Sequence, residues 1–397
     1  GPVMPAGTAV INPKRPDSAY PEDMLAGVGI AYKLAQALKQ SRPDRATFLE
    51  SDLLDLVAIG TVADLAPLLK ENRQLVIDGL QSLNNSKRAG IAAIARTARL
   101  TPGSLTAESI AFGIGPRINA AGRLAHAYSA ARLLAANSTT DANYYAEELD
   151  RLNRKRQQLT AELSTLAESM VTPDAPILIA ADTSFVSGVV GLVASRLAEK
   201  HYRPAIVMER GEEESRGSCR SIDKFHITEA LDEVADLLVR HGGHAQAAGF
   251  TVRNENLPEF LSRITAIAER KLRDMDLVPT LTIDAEIELD DVDWALLEHL
   301  QQLEPTGAAN PQPIFLSRGV EVVHHRGVGQ DGAHLQLTLS ADSATGYREI
   351  GAIAFRQGEW ASRLPQTIDL VYSIGVNEWR GNKNLQLMVQ DLRPSQL

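Results

Sequence analysis

The chain has 397 residues, too many for one ordinary hydrophobic core, so its length predicts two or three domains. Apolar residues make up 44% and charged residues 23% of the chain, a balance that excludes disorder of the chain as a whole. The net charge of −10 argues against binding nucleic acid over the whole surface, but it leaves room for a local basic groove.

The hydrophobic pattern, the chain start and the cysteine content indicate the cellular compartment. No stretch approaches the roughly 20 consecutive apolar residues of a membrane span, and we expect no secretory signal. The one cysteine, Cys219, excludes an internal disulfide and a cysteine-based zinc site, and it fits a reducing cytoplasm. Because the first residue is Gly1 rather than Met, we expect a fragment, a processed product or a Gly-Pro scar.

Helical spacing of apolar residues dominates the first part of the chain. It predicts helices over residues 25–38, 72–86 and 91–100. The run 53–59 fits either a buried strand or a helix end, because periodicity cannot decide for so short a segment. A long helical pattern over 139–170 predicts a connecting helix.

The pattern changes twice further along. A strand at 177–181, a helix at 189–200 and a strand at 204–208 indicate an α/β domain. Later, short alternating stretches separated by Gly, Asp and Asn turns are typical of a small antiparallel barrel or sandwich; they lie at 334–340, 368–374 and 385–389. We therefore expect four parts, spanning residues 1–138, 139–171, 172–277 and 278–397.

The segment GTVAD at 60–64 is the first candidate for chemistry. It places Asp64 after a hydrophobic run and a Gly-Thr break. At the carboxyl end of a strand in an open α/β sheet, an Asp can reach a hard cation. The alternative is an Asp that caps the next turn or helix.

The segment GIGPRINAAGR at 113–123 combines small residues with Arg117, Asn119 and Arg123. Small residues let the backbone approach a ligand closely, and guanidinium forks match phosphate oxygens. This composition favours anion binding. The alternative is a glycine-containing turn with solvated arginines.

Two later segments have similar chemistry. RGSCRS at 216–221 interleaves Ser218, Arg220 and Ser221 around a glycine, which suits phosphate binding, although a surface turn is an alternative. HGGHAQAAG at 241–249 combines small residues with three candidate site residues, Gly242, Gly243 and His244, but it could also be a tight helix start with a core histidine. The basic cluster at 151–156 has a solvated helix face as its default explanation.

Together these segments resemble the DHH phosphoesterase superfamily and, within it, the RecJ family. The segments that carry the resemblance follow the family's order along essentially the whole chain: 60–68, 117–123, 189–197, 217–221, 242–244, 305–315 and 377–382. The first looks like the superfamily's fourth motif, whose Asp is a metal ligand. The fourth looks like the element that in RecJ helps to bind a 5′ phosphate.

The resemblance implies a fold and an activity. The fold is α/β: the C-terminal part of a DHH catalytic domain, a connector helix, an α/β DHH-associated domain and an all-β OB-like barrel. The activity is a 5′→3′ exonuclease on single-stranded DNA with a 5′ phosphate, acting in repair and recombination with two Mn²⁺ or Mg²⁺ ions in the intact parent. A single-strand-binding protein and a helicase are implied partners, and we expect a cytoplasmic monomer.

The resemblance also assigns residues. Asp64 is the expected catalytic metal ligand. The residues expected to contact phosphates or the strand are Arg117, Asn119, Arg123, Ser218, Arg220, Ser221, Gly242, Gly243 and His244. Trp379 and Phe355 are candidates for stacking on bases, with a place in the core as the alternative.

Several features depart from the family's pattern. Cys219 and Ala309 stand where the family has Gly. The Asp-x-Asp motif, a second Asp motif and the Asp-His-His triplet are absent, and the resemblance places Gly1 a few residues after that triplet. One Asp cannot hold two ions about 4 Å apart, so we expect this chain alone to be inactive.

Two other functions stay open. One is a different DHH phosphodiesterase, acting on short oligonucleotides or cyclic dinucleotides; such enzymes lack a RecJ-like OB region, so residues 280–397 count against it. The other is a non-catalytic single-strand-binding or scaffold relative that has lost its metals.

Overall fold

The structure, a computed structural model, describes residues 7–343, 346–379 and 381–395. Its first part is helical, and residues 7–170 contain no strand. The helices are α1 Gly27–Ser41, α2 Leu54–Ala63, α3 Lys70–Asn84, α4 Ala89–Thr97, α5 Gly115–Leu124, α6 Tyr128–Leu134 and α7 Thr139–Met170. The helices predicted over 25–38, 72–86, 91–100 and 139–170 are confirmed, with ends shifted by up to three residues.

The run 53–59 forms part of α2, which settles the choice between strand and helix. Val57, Ala58 and Ile59 are all buried, so the helix is apolar on every side and shows no amphipathic period. The backbone N–H of Asp64, which follows α2, donates to the Gly60 carbonyl oxygen at 3.0 Å. Asp64 therefore follows a helix, and the expectation that it ends a strand is wrong.

The connecting helix α7 has clear start and packing signals. The Ser138 hydroxyl accepts from the Asp141 backbone N–H at 3.0 Å, which caps the first turn. The first half of α7 packs against α4, α5 and α6, and its second half packs against the following domain. Leu149 is buried in the first half and Leu163 in the second, so one apolar stripe serves two neighbours.

The next part is a five-stranded sheet with helices, as the sequence predicts. Its elements are β1 Leu178–Asp182, α8 Ser187–His201, β2 Ala205–Arg210, β3 Glu214–Arg220, α9 Ile227–Asp232, β4 Leu238–His244, β5 Ala247–Arg253 and α10 Leu257–Leu272. The strand order is β1-β2-β3-β5-β4, parallel only between β1 and β2. Val193 and Val207 belong to a core shared with α7, whereas Phe250 and Phe260 belong to a second core with α9 and α10.

The last part is a closed five-stranded barrel, which confirms the OB-like architecture. Its elements are β6 Ala285–Glu286, α11 Trp294–Gln301, β7 Phe315–Val328, β8 His334–Ser343, β9 Gly346–Ala354, β10 Thr367–Trp379 and β11 Asn382–Pro394. The order is β10-β11-β9-β8-β7-β6, and a β10–β7 pairing closes the barrel. Leu337, Ile350 and Tyr372 lie in its core.

The chain forms two compact units. The first contains Gly1–Arg15, Leu25–Asp64 and Leu75–Pro279, and the second contains Pro16–Met24, Leu65–Gln74 and Thr280–Leu397. The predicted domain boundaries at residues 138, 171 and 277 stay predictions. Among the described residues, no helix combines the length and apolarity that crossing a bilayer requires.

Within the second unit, the segment after Asp64 is tied to a loop that precedes the barrel. The Leu68 N–H donates to the Ala308 carbonyl oxygen at 2.7 Å, and Arg73 Nη2 donates to the carbonyl oxygen of Glu304 at 2.9 Å. Ala309 has φ 60°. The backbone therefore keeps the left-handed conformation that favours glycine, although this chain has alanine there.

Ala309→Gly should raise the free energy of unfolding by about 0.5–1 kcal/mol, because relief of the left-handed strain exceeds the added chain entropy. The matched change Ala308→Gly should lower it, since Ala308 gains no relief. Urea unfolding, followed through the transition of the second unit, measures the free energy of unfolding of both variants. Equal effects of the two changes would show that the φ of Ala309 costs nothing.

Cys219 should resist thiol reagents in the folded chain. Its side chain is fully buried, and burial raises the pKa of the thiol to about 12. Because the thiolate is the reactive form, iodoacetamide at pH 8 should label Cys219 only after denaturant unfolds the domain. Rapid labelling of the native chain would contradict this packing.

Candidate phosphate-binding site

Four arginines from four elements of the first unit are near enough to influence one another: Arg123 interacts with Arg156 and Arg220, and Arg196 interacts with Arg156. Arg123 is at the end of α5, Arg156 on α7, Arg196 on α8 and Arg220 at the end of β3. Burial lowers the pKa of Arg156, and the charges of Arg123 and Arg196 lower it further. Burial likewise lowers the pKa of Arg220, and the Arg123 charge adds to this effect. We call these four residues the arginine cluster.

The partners of the arginine cluster are neutral. Arg220 Nη1 donates to the Cys219 carbonyl oxygen at 2.7 Å, and Arg123 Nη1 contacts the Gly188 carbonyl oxygen at 3.4 Å. Arg156 Nε is buried without an acceptor. Across the described part of the chain, none of the four forms an ion pair with a carboxylate.

Two glycines of α8 allow this convergence. A Cβ on Gly188 would lie 1.9 Å from the Arg123 carbonyl oxygen, and a Cβ on Gly191 would lie 3.0 Å from Ser218 Oγ and 3.1 Å from Arg220 Nη2. A side chain at Gly188 would push α5 away from α8, and a side chain at Gly191 would displace the side chains of Ser218 and Arg220. The close approach places the Ser218 hydroxyl beside the Arg220 guanidinium, at 3.3 Å.

The sheet extends this site across three strands. In the antiparallel register, Ser218 lies opposite Gly249, which lies opposite Gly242; the next row of the same face is Arg220, Ala247 and His244. Side chains two residues apart on a strand share a face, so the rows form one surface with a glycine floor. A groove of about 480 Å³ runs over this floor, also lined by Arg216 and Arg240. Such a surface offers cations and backbone groups to a phosphate.

The predicted site residues do not all lie at one site. Arg123, Ser218 and Arg220 meet at the arginine cluster, and Gly242, Gly243 and His244 lie on β4. Arg117 instead pairs with Asp150 at 2.9 Å, Asn119 is exposed on α5, and the Ser221 hydroxyl donates to the Phe225 carbonyl oxygen at 2.6 Å. The roles of all of these residues in binding stay predictions.

The structure does not show a turn at 113–123 or at 216–220, nor a helix start at 241–244. Residues 113–123 run from a π-helical turn, Ser109–Ile114, into α5, so small residues there serve helix packing. Residues 216–220 belong to β3, and residues 241–244 belong to β4 rather than to a helix start. The sequence pattern alone could not distinguish these cases, because glycine-rich segments occur both in turns and where secondary-structure elements pack closely.

Two members of the arginine cluster were missed by sequence reasoning. Arg156 belongs to the basic cluster 151–156, where Arg151, Arg154 and Lys155 are exposed on α7 and only Arg156 is half-buried. Helical geometry could have distinguished Arg156 from the other basic residues, because its side chain points in a different direction around α7. Arg196 carries no local signal, since an arginine on an amphipathic helix is ordinarily solvated.

Asp64 is the residue that the resemblance assigns as a metal ligand. It is exposed at the end of α2. Within the described ranges, no three His, Cys, Asp or Glu side chains come together as a metal site requires. The residues of this chain therefore do not fit a two-metal centre by themselves.

The barrel has a groove of its own, of about 470 Å³. It is lined by Trp294, which is 50% exposed, and by polar side chains that include Gln336, Lys383 and Asn384. Arg348 Nη2 donates to the Val292 carbonyl oxygen at 2.9 Å and so fixes the start of α11 with Trp294. Of the predicted stacking residues, Phe355 is exposed and packs on His334, whereas the side chain of Trp379 is outside the described part.

The chain matches two known domain families. Residues 174–270 match the DHHA1 domain, and residues 283–391 match the RecJ OB domain. The chain is 35% identical over 403 residues to the single-stranded-DNA-specific exonuclease RecJ of Bacillus subtilis (strain 168), which covers 100% of this chain and 50% of that protein. It is 33% identical over 417 residues to the exonuclease of the same name from Dickeya dadantii (strain 3937), covering 99% and 72%.

A solved structure gives the same result. The crystal structure of RecJ in complex with Mn²⁺ from Thermus thermophilus superposes with a TM-score of 0.82 at 32% identity, covering 96% of this chain and 55% of that one. The DHHA1 match and the RecJ OB match follow one another along the chain, as the α/β domain and the barrel do in the structure, and this arrangement defines a protein of the DHH superfamily. More narrowly, the chain belongs to the RecJ family. It spans half the length of the Bacillus relative.

Inorganic phosphate should stabilise this chain through the arginine cluster, and Arg156→Met should weaken that effect. Without phosphate, the variant should be more stable by about 1 kcal/mol, because one of four mutually repelling charges is gone while the aliphatic stem remains. With phosphate, its melting temperature should rise less than that of the parent chain. Thermal unfolding in phosphate, against chloride at equal ionic strength, measures both.

Arg151→Met is the matched control, since Arg151 lies on the same helix but is exposed and outside the cluster. Its response to phosphate should equal that of the parent chain. Equal phosphate responses of all three proteins would show that the cluster does not bind the anion.

Proposed function

We propose that this chain is the 5′-phosphate- and strand-binding part of a 5′→3′ exonuclease specific for single-stranded DNA, which acts in DNA repair and recombination. The observation that carries the proposal is the arginine cluster: four guanidinium groups, one of them beside the Ser218 hydroxyl, with no ion-paired carboxylate among the residues that the structure describes. A terminal phosphate carries close to two negative charges and three acceptor oxygens, so it matches this site better than a singly charged phosphodiester.

The barrel supports the strand-binding half of the proposal. Trp294 exposes a ring beside amide and ammonium groups, and OB folds bind single strands by stacking aromatics and a cationic groove. The same barrel argues against a phosphodiesterase for short oligonucleotides or cyclic dinucleotides. We further propose that the protein is a cytoplasmic monomer. Its proposed protein partners are a single-strand-binding protein and a helicase.

Hydrolysis needs more than these residues. Relatives have been solved with Mn²⁺ and with Mg²⁺, and we propose that the parent enzyme uses one of these ions. In that enzyme Asp64 would be one ligand among several. The ions would activate water and neutralise the leaving oxygen, whereas the residues of this chain would bind and orient the strand.

This chain alone should bind 5′-phosphorylated single-stranded DNA without releasing nucleotides in Mn²⁺, whereas the full-length gene product should release them. The physical reason is that phosphate-binding groups converge here but, among the described residues, metal-binding groups do not. Anisotropy of a 3′-labelled strand measures binding, and gel analysis of the same strand measures hydrolysis. Metal-dependent release of nucleotides by the purified 397-residue chain would overturn the division of roles.

Arg220→Met provides the specificity control. It should weaken binding of the 5′-phosphorylated strand by about tenfold, because a charge-assisted hydrogen bond to the phosphate is lost. Binding of the matching 5′-hydroxyl strand should stay unchanged. Binding without hydrolysis in both the chain and the full-length product would instead favour a non-catalytic single-strand-binding relative.

A further inference from the structure

A second groove lies in the helical part of the first unit and shares no residue with the arginine cluster. It has a volume of about 700 Å³ and is formed by the end of α4, the π-helical turn Ser109–Ile114 and the middle of α7. The residues that line it include Arg99, Phe112, Asn153, Arg154 and Gln157. We call it the helical groove.

An unpartnered aromatic ring stands at the helical groove. Phe112 is 78% exposed, whereas Ile110 and Ile114 of the same π-helical turn are fully buried. The turn therefore fixes its backbone through two buried neighbours and directs Phe112 to the surface. Within the described residues, the ring has no aromatic or cationic partner. π-Helical turns are rare and are frequent at functional sites.

The charge of the helical groove is positive. Arg117 and Arg154 share one buried carboxylate, that of Asp150, and Arg154 keeps 79% of its side chain exposed. Arg99 is exposed and forms no ion pair in the described ranges. With Glu108 as the other lining acid, three arginines face two carboxylates, a net charge of +1. An anionic chain would be attracted to this surface although the whole protein is acidic.

A buried amide adds the second observation that points to a ligand. Asn153 lines the helical groove and is 3% exposed, and its Oδ1 has no hydrogen-bond donor among the described residues. A buried acceptor without a donor is costly, so such groups usually have a partner. The amide of Gln157 lies one turn further along α7 and is exposed. Exocyclic amino groups of nucleobases are donors of the missing kind.

We propose that the helical groove binds a nucleotide of a single strand, with its base stacked on Phe112 and its flanking phosphates near Arg99 and Arg154. The inference rests on the proposed function, because it adds a contact to the same strand beyond its 5′ end. A ring, amide groups and a positive surface side by side match a nucleotide, since each addresses one part of it. An acidic peptide would use the arginines, and its backbone N–H groups could donate to the amide oxygen, but its acidic side chains would leave the exposed ring without a stacking partner.

Phe112→Ala should weaken binding of a single strand by this chain about tenfold, because base–aromatic stacking is lost. The probe is a labelled 5′-hydroxyl oligonucleotide, which avoids the 5′-phosphate preference. An abasic strand of the same length should bind the variant and the parent chain equally. Phe112→Trp should restore binding, and its added fluorescence should be quenched by the normal strand only.

Tyr144→Ala is the matched control, since Tyr144 is 64% exposed on α7 but does not line the helical groove. It should leave both affinities unchanged. Equal binding of the normal strand by Phe112→Ala and the parent chain would overturn the inference, as would an equal loss for normal and abasic strands.

The two proposals can fail separately. A chain that prefers a 5′ phosphate but does not depend on Phe112 contradicts the helical groove and leaves the proposed function standing. A chain that depends on Phe112 but binds 5′-phosphate and 5′-hydroxyl strands equally contradicts the role of the arginine cluster.

Discussion

The packing of α8 against α5, α7 and β3 holds together four guanidinium groups that repel one another. Gly188 allows α8 to approach α5 closely, and Gly191 leaves room for the side chains of Ser218 and Arg220. The repulsion is visible in the pKa of Arg156, which burial and two neighbouring arginines lower together. A folded chain tolerates such a cluster when function requires it, and a bound phosphate would remove the conflict.

The same packing gives an acidic protein local surfaces that attract anions. The net charge of −10 is spread over the surface, but attraction depends on the charges that line a groove. The arginine cluster contains no compensating acid, and the helical groove has an excess of one positive charge among the described residues. Composition could exclude binding over the whole surface, but it could not locate these concentrations of charge.

Sequence reasoning predicted what is encoded locally. The periodicity of 139–170 and the strand–helix–strand pattern after residue 177 appear as α7, β1, α8 and β2, because each pattern extends over enough residues to define a period. The motif at 216–221 led to Ser218 and Arg220. Arg196, Phe112 and Trp294 were missed, because their surroundings depend on residues distant in the sequence. The role of Arg117 stays a prediction; the structure adds its ion pair with Asp150, which the local sequence does not show.

Binding and hydrolysis can be separated in this chain on physical grounds. Phosphate needs cations and donors, and the first unit brings these together from α5, α7, α8 and β3. A pair of metal ions needs several carboxylates and imidazoles at short range, and Asp64 has no such neighbours in the described ranges. The affinity for a 5′ phosphate should therefore be independent of metal ions in this chain. Measured with and without a chelator, it isolates the contribution of the arginine cluster from that of the catalytic centre.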